Sequence, residues 1–298
     1  MTLLYSKSLR VKFPDSLTMF SRRLFLWQIV LLLTACKTAE TSKLGKLSMG
    51  VVSYGEDDRS IEQYSPLVDY LQAQLKTIIE LEPAYNEIKA LEQIKRKNWS
   101  LVFAPPGLAA IAIFEEQYSP LFPLEGVEKM RSLIVVREES PFKKLTDLKN
   151  QTMALGQPGS ATGYSLPLYN LYGLTLAGVR IAPTPKTILE WIDKKEVAAG
   201  ALSLADLERY RQNFKQTNYR VIHSSSVPPG AIIVGPMVEL YQQERIRKTL
   251  ASASQNTIQA AGYLTNSRVP EYKALMEIIA KVRPLAGKIK DKPVYLHK

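Results

Sequence analysis

The chain has 298 residues, 46% hydrophobic and 22% charged, a globular composition long enough for two lobes that excludes a disordered or low-complexity protein. Of its formal net charge of +11, the segment before Cys36 carries +4, from five basic residues and one acid, which leaves +7 for the remainder. That remainder is scattered, with no dense Lys/Arg run interleaved with aromatics, which argues against a nucleic-acid partner.

Residues 21–26 read Ser-Arg-Arg-Leu-Phe-Leu and open a short apolar run that ends in Leu33-Thr34-Ala35-Cys36. A charged region, an apolar stretch and small residues in that order form a signal peptide, and the run 24–35 falls short of the about 20 residues of a membrane span. The paired arginines resemble the twin-arginine export signal, and residues 33–36 resemble the lipobox of bacterial lipoproteins. These resemblances imply a signal peptide over 1–35, lipidation at Cys36, a tether over 36–46 and an extracytoplasmic location. Cys36 is the only cysteine, so no intramolecular disulfide is available and the thiol has an assigned use. A membrane anchor with an incidental cysteine is the alternative.

After the tether, the apolar run 47–52 predicts a buried strand ending in a loop at Ser53-Tyr54-Gly55. Leu67, Tyr70, Leu71 and Leu75 recur at helical spacing within 60–75, and 88–97 repeats the pattern with basic residues outward. Residues 101–104 predict a strand that stops at Pro105-Pro106-Gly107. Residues 132–137 give a strong β signal. Further strands are expected at 153–155, 197–202, 219–222 and 232–234, with helices after Ser160, over 187–194 and over 238–261. Strands alternating with helices predict mainly parallel sheets with helices on both faces, and such sheets bind ligands at the carboxyl ends of their strands. The expected division is lobe 1 over 47–136 and 229–298, and lobe 2 over 137–228.

The segment Gly156-Gln157-Pro158-Gly159-Ser160-Ala161-Thr162-Gly163-Tyr164 combines glycines with hydroxyls at the mouth of a helix. Unpaired N–H groups and the positive end of a helix dipole favour an anion there, although a plain helix cap has the same composition. The stretch from Leu145-Thr146-Asp147-Leu148-Lys149 to Tyr164 and Pro167 resembles the "DLKGKTVAFGDPGSTSGY…P" motif of the phosphate/phosphite/phosphonate-binding proteins of ABC importers. The opening block 50–71 with Tyr54, the region 102–107 and Ser226-Val227-Pro228 resemble other parts of that family, in order over about 47–287.

The resemblance implies an α/β, two-lobed type II periplasmic-binding-protein fold with ligand in the interlobe cleft and closure around it. It places Tyr54, Ser160 and Thr162 at the ligand, and Ala161 where a threonine is usual. Gly163 and Tyr164 complete the expected ligand-binding set. At three further site positions this sequence departs: Leu108 stands for a tyrosine, Pro185 for a histidine and Ala198 for an aspartate.

No catalytic role is expected. Gly159-Ser160 does not fit the G-x-S-x-G elbow, and His223 and His297 are the only histidines. No ligand spacing for a metal is present, and no cofactor is implied. The expected partners are a small anionic solute, an ABC permease with its ATPase, and the membrane through the lipid anchor, with the protein itself a monomer. A ligand-sensing partner of a membrane kinase and a non-binding scaffold lipoprotein remain as alternatives.

Overall fold

A computed structural model describes residues 45–53, 61–126 and 130–297 of the chain. These belong to one compact unit, Lys43–Lys298. The expected signal peptide, Cys36 and nearly all of the tether lie outside the described residues, as does Tyr54.

The chain first builds β1 (Leu47–Val52), α1 (Ser65–Leu75), β2 (Ile79–Ala84), α2 (Glu87–Lys95), β3 (Leu101–Ala104), α3 (Pro106–Glu115) and β4 (Ser119–Pro123). It then crosses to β5 (Arg131–Arg137), β6 (Thr152–Leu155), α4 (Leu166–Asn170), β7 (Thr175–Leu176), β8 (Gly178–Ile181), α5 (Pro185–Asp193), β9 (Ala199–Ser203), α6 (Leu204–Tyr210) and β10 (Tyr219–Ser226). The return supplies β11 (Ala231–Val234), α7 (Leu240–Ala251), α8 (Gln255–Ala261), α9 (Lys273–Val282), α10 (Leu285–Lys288) and β12 (Val294–Tyr295).

The strands form two five-stranded sheets, ordered β2-β1-β3-β11-β4 and β10-β5-β9-β6-β8. Read from its second strand, each sheet has the same plan: second, first, third, crossing strand, fourth. The crossing strands β11 and β5 are antiparallel to their neighbours, whereas β2, β1 and β3, and β8, β6 and β9, run parallel. The sheets are therefore mixed rather than mainly parallel. A strand that enters a lobe from the cleft must run away from it, against the parallel strands that end there.

Two expected boundaries move for the same reason. β5 pairs with β9 and β10, so the first crossing precedes Arg131 and lobe 2 already begins there. At the other end, Val282, Leu285, Ile289, Val294 and Leu296 pack into the core of the second lobe, and β12 pairs with β7. Hydrophobicity marks these segments as buried without saying which core receives them. The expected helix 238–261 is two helices, because Ser254 accepts the Thr257 N–H (3.2 Å) and caps a second start at α8.

Local patterns account for the elements. α1 buries Leu67, Leu71 and Leu75 on one stripe and stops where Lys76 turns left-handed. On the other face of the first sheet, Gly50 of β1 faces Trp99, which is 1% exposed and donates its indole N–H to Glu82 Oε2 (2.9 Å). A Cβ at Gly50 would lie 2.1 Å from the Trp99 ring. Gly50→Ala therefore overpacks the first lobe, with an expected loss of about 1–3 kcal/mol. Thermal unfolding should show a midpoint lowered by several degrees; an unchanged midpoint would mean that Trp99 does not occupy that site.

Candidate functional site

The carboxyl ends of the parallel strands point at one another across the gap between the sheets, and a helix or turn starts at nearly every one. Asn86 caps α2 by accepting the Lys89 N–H (2.9 Å), Thr184 caps α5 by accepting the Thr187 N–H (3.2 Å), and Ser203 caps α6 by accepting the Asp206 N–H (3.0 Å). Pro105 and Pro106 begin α3, where a missing N–H costs nothing. The amino ends thus face a common cavity of about 300 Å³. Each unsatisfied N–H and each dipole end makes that cavity more favourable for negative charge, by about 0.3–1 kcal/mol per helix.

The Gly-rich loop enters this cavity from the second lobe. Gly159 has φ +105°, a left-handed conformation that glycine tolerates, and it sets the chain into the turn Ala161–Ser165. This turn is a π-turn rather than the expected plain α-helical start: Ser165 donates its N–H to the Ser160 carbonyl five residues back (3.0 Å). The Ser160 hydroxyl accepts the Gly163 N–H (3.0 Å). Gly156 donates its N–H to the Gly163 carbonyl (2.8 Å), and the Ser132 hydroxyl donates to the Thr162 carbonyl (2.7 Å). The loop is therefore held by its own backbone and by the Ser160 and Ser132 hydroxyls before any ligand contact.

Of the expected site residues, Ser160, Ala161, Thr162 and Gly163 line the cavity. Tyr164 does not. It is 5% exposed within the core of the second lobe, where burial raises its hydroxyl pKa and its oxygen has no partner among the described residues. One residue past Gly163, the turn carries its side chain inward.

The three departures also separate. Leu108 is fully buried in the first lobe, beside Gly159. Pro185 lines the cavity at the first turn of α5. Ala198 precedes the amino end of β9, whereas the cavity lies at the carboxyl end by Ser203. A carboxylate at position 198 would project from the wrong end of the strand.

The carboxylates that do line the cavity are Glu87, Glu125 and Asp206, and no Lys, Arg or His is among the described lining residues. Sequence reasoning missed all three. Asp206 had a signal: Ser203-Leu204-Ala205-Asp206 directly after an apolar strand is a capping box, which is formed here. Glu87 and Glu125 lie in a helix start and a turn with no distinctive spacing. The remaining walls are largely apolar, including Val52, Phe103, Leu124, Met130 and Ile188.

The same loop joins the lobes. The Gln157 side-chain carbonyl accepts the Ile88 N–H of α2 (3.3 Å), taking an orphan donor of a helix in the first lobe. Ala161 and Leu166 share one apolar cluster with Leu108, Ala109 and, from α9, Leu275 and Ile279. Gly107 of α3 lies so close that a Cβ there would be 2.2 Å from the Gly159 carbonyl oxygen and 2.7 Å from the Ala161 nitrogen. Both atoms are backbone and cannot step aside alone. Gly107→Ala should therefore wedge the lobes apart, which small-angle scattering would read as a larger radius of gyration. An unchanged radius with unchanged solute affinity would contradict the contact.

Comparison with known proteins gives the site a context. The family model described as "ABC transporter, phosphonate, periplasmic substrate-binding protein" matches residues 49–283. No curated protein matches the chain. Among solved structures, the XAC2383 protein of Xanthomonas citri bound to ATP superposes with TM-score 0.65 at 22% identity, covering 80% of this chain and 98% of that one. PhnD1 from Prochlorococcus marinus in complex with methylphosphonate gives TM-score 0.65 at 15% identity, covering 80% and 98%. A binding component of a phosphonate ABC transporter from Pseudomonas aeruginosa gives 0.60 at 14%, covering 83% and 99%. At these identities the superpositions establish the fold, that of the type II periplasmic binding proteins.

Proposed function

Because this chain belongs to the periplasmic phosphonate substrate-binding proteins of ABC transporters, a family that binds small solutes outside the cytoplasm for delivery to a permease, we propose that its cavity takes an organic solute with one phosphonate- or phosphate-like head. The head sits at the turn Ala161–Ser165, and the observation that supports this most is Thr162. Its residue lines the cavity, and its hydroxyl makes no hydrogen bond among the described residues, while the Ser160 hydroxyl is spent on the cap. Neutral donors and helix ends, rather than a cationic side chain, would hold the head.

The rest of the cavity favours an organic substituent. Apolar walls suit a hydrocarbon or ring, and a bare dianion would face the carboxylates of Glu87, Glu125 and Asp206 with no Lys, Arg or His among the described lining residues. A methylphosphonate-sized ligand, as named for the Prochlorococcus protein, and a larger phosphate ester, as ATP is for the Xanthomonas one, bracket the solutes worth screening. Cys36 serves in this reading as the lipidated first residue of the mature protein, with the segment to Lys46 as its tether. No chemistry is performed on the solute, and the partner ATPase supplies the energy of import. The protein acts as a monomer.

Thermal unfolding with phosphate, methylphosphonate, aminoalkylphosphonates and phosphate esters tests the ligand class. A ligand at about 100 times its Kd stabilises by about 2.7 kcal/mol, which moves the midpoint by about 5–10 °C in a chain of this size. Thr162→Val should reduce affinity by about tenfold to a hundredfold, the worth of one hydrogen bond to a charged group, without changing the unliganded midpoint. If none of these solutes shifts the midpoint, the ligand reading fails and the sensing or scaffold roles take its place.

A further inference from the structure

We propose that the end of the first lobe opposite the cavity is a membrane-docking face, built to rest on a bilayer that contains anionic lipid. The proposal rests on the reading of Cys36 as a lipid anchor. Strand polarity defines this end. β1, β2 and β3 run from it toward the cavity, and β11 runs back to it: Leu47 is level with Ile79, and Leu101 and Val234 are level with Met49, two residues further along β1. Leu47 donates its N–H to the Ile78 carbonyl (2.9 Å), and Gly235 donates to Ser100 (2.9 Å), which brings both connecting segments to the same level.

Four large apolar side chains stand open to solvent here: Ile78 (63%), Met237 (76%), Leu240 (81%) and Tyr241 (61%). Their placement together is fixed by α7, which packs antiparallel to α1. Arg245 donates to the Leu75 carbonyl (3.5 Å) and Tyr70 to the Thr249 carbonyl (3.1 Å), so the start of α7 lies at the level of Lys76 or beyond. Isolated exposed apolar residues are ordinary, but a group of this kind at one end of a lobe marks an interaction surface.

Two observations select the bilayer as its occupant. The first is connectivity: the described chain begins at Gly45, at this same end, and full extension from Cys36 to Gly45 spans about 30 Å. A lipid on Cys36 therefore keeps this end of the lobe within reach of the membrane. The second is charge. Lys46, Lys76, Lys95, Arg96 and Lys97 belong to this end, against Glu80, Glu115, Glu116 and Glu239, with Lys46 and Glu80 paired (2.5 Å) and Glu115 paired with Arg283. Apolar side chains rimmed by a net positive charge match the headgroup boundary of an anionic membrane. Docking there would leave the cavity facing away from the lipid.

The test uses the full chain, exported and processed by a bacterial host, on vesicles of phosphatidylglycerol with phosphatidylcholine and of phosphatidylcholine alone. Lipidation consumes the Cys36 thiol, so Leu240→Cys places a single nitroxide on the face and Gln212→Cys places one on the second lobe. On the anionic vesicles the label at 240 should lose access to a water-soluble paramagnetic chelate several-fold, while the label at 212 stays accessible. Lys95→Glu with Lys97→Glu should weaken that protection and leave solute-induced thermal stabilisation unchanged. Co-flotation with vesicles while 240 stays as accessible as 212 would overturn the docking face and keep the anchor. Failure to float, together with a second labelled thiol at Cys36, would overturn both. Shielding of 240 without vesicles would also overturn it, by assigning the face to a second copy of the chain.

Discussion

The approach of the Gly159 carbonyl to Gly107 governs much of the rest of the site, since it is a backbone-to-backbone contact between the two lobes. Only glycine at 107 allows it, and the left-handed φ at Gly159 makes that position favour glycine too. With the two backbones together, Gln157 reaches the open N–H of Ile88, and Ala161 and Leu166 join the apolar cluster of the opposite lobe. The loop that carries Thr162 is thus also the loop that joins the lobes. In the proposed reading, a solute at Thr162 would bear on that contact without any relay through the structure.

That arrangement explains how a cavity with three described carboxylates could hold an anionic head. Helix and turn amino ends from both lobes converge on it because every parallel strand ends at the cleft, and their N–H groups and dipoles are fixed by the fold. Such donors bring no counter-charge of their own, so the remainder of the ligand decides whether the carboxylates help or hinder. A group with hydrogen-bond donors near Asp206 or Glu125 is the complement this cavity asks for.

Much of this was legible in the residues. The apolar runs at 47–52, 101–104 and 132–137 are strands, and the loop from Gly156 to Gly163 stands at the cleft. What periodicity could not supply was partnership. β5 and the segment after Val282 are apolar enough for either core, and their assignment depends on pairings more than 60 residues away in sequence for β5 and more than 100 for β12. Tyr164 shows a finer limit: a polar aromatic next to a ligand loop reads as a cleft wall, but a single residue of turn rotates it into the core. Position 198 shows a similar one, since a motif identifies a strand without saying which of its ends meets the ligand.

Hydrogen exchange of the full chain with and without an aminoalkylphosphonate tests the central claim most directly. The account predicts slowed exchange in two places at once: at 156–163 in the second lobe, and at Ile88 in the first, whose N–H is bonded to Gln157. Binding that protects neither segment, or that protects 156–163 and leaves Ile88 exchanging as before, would contradict a site in which the anion loop and the closing contact are one structure.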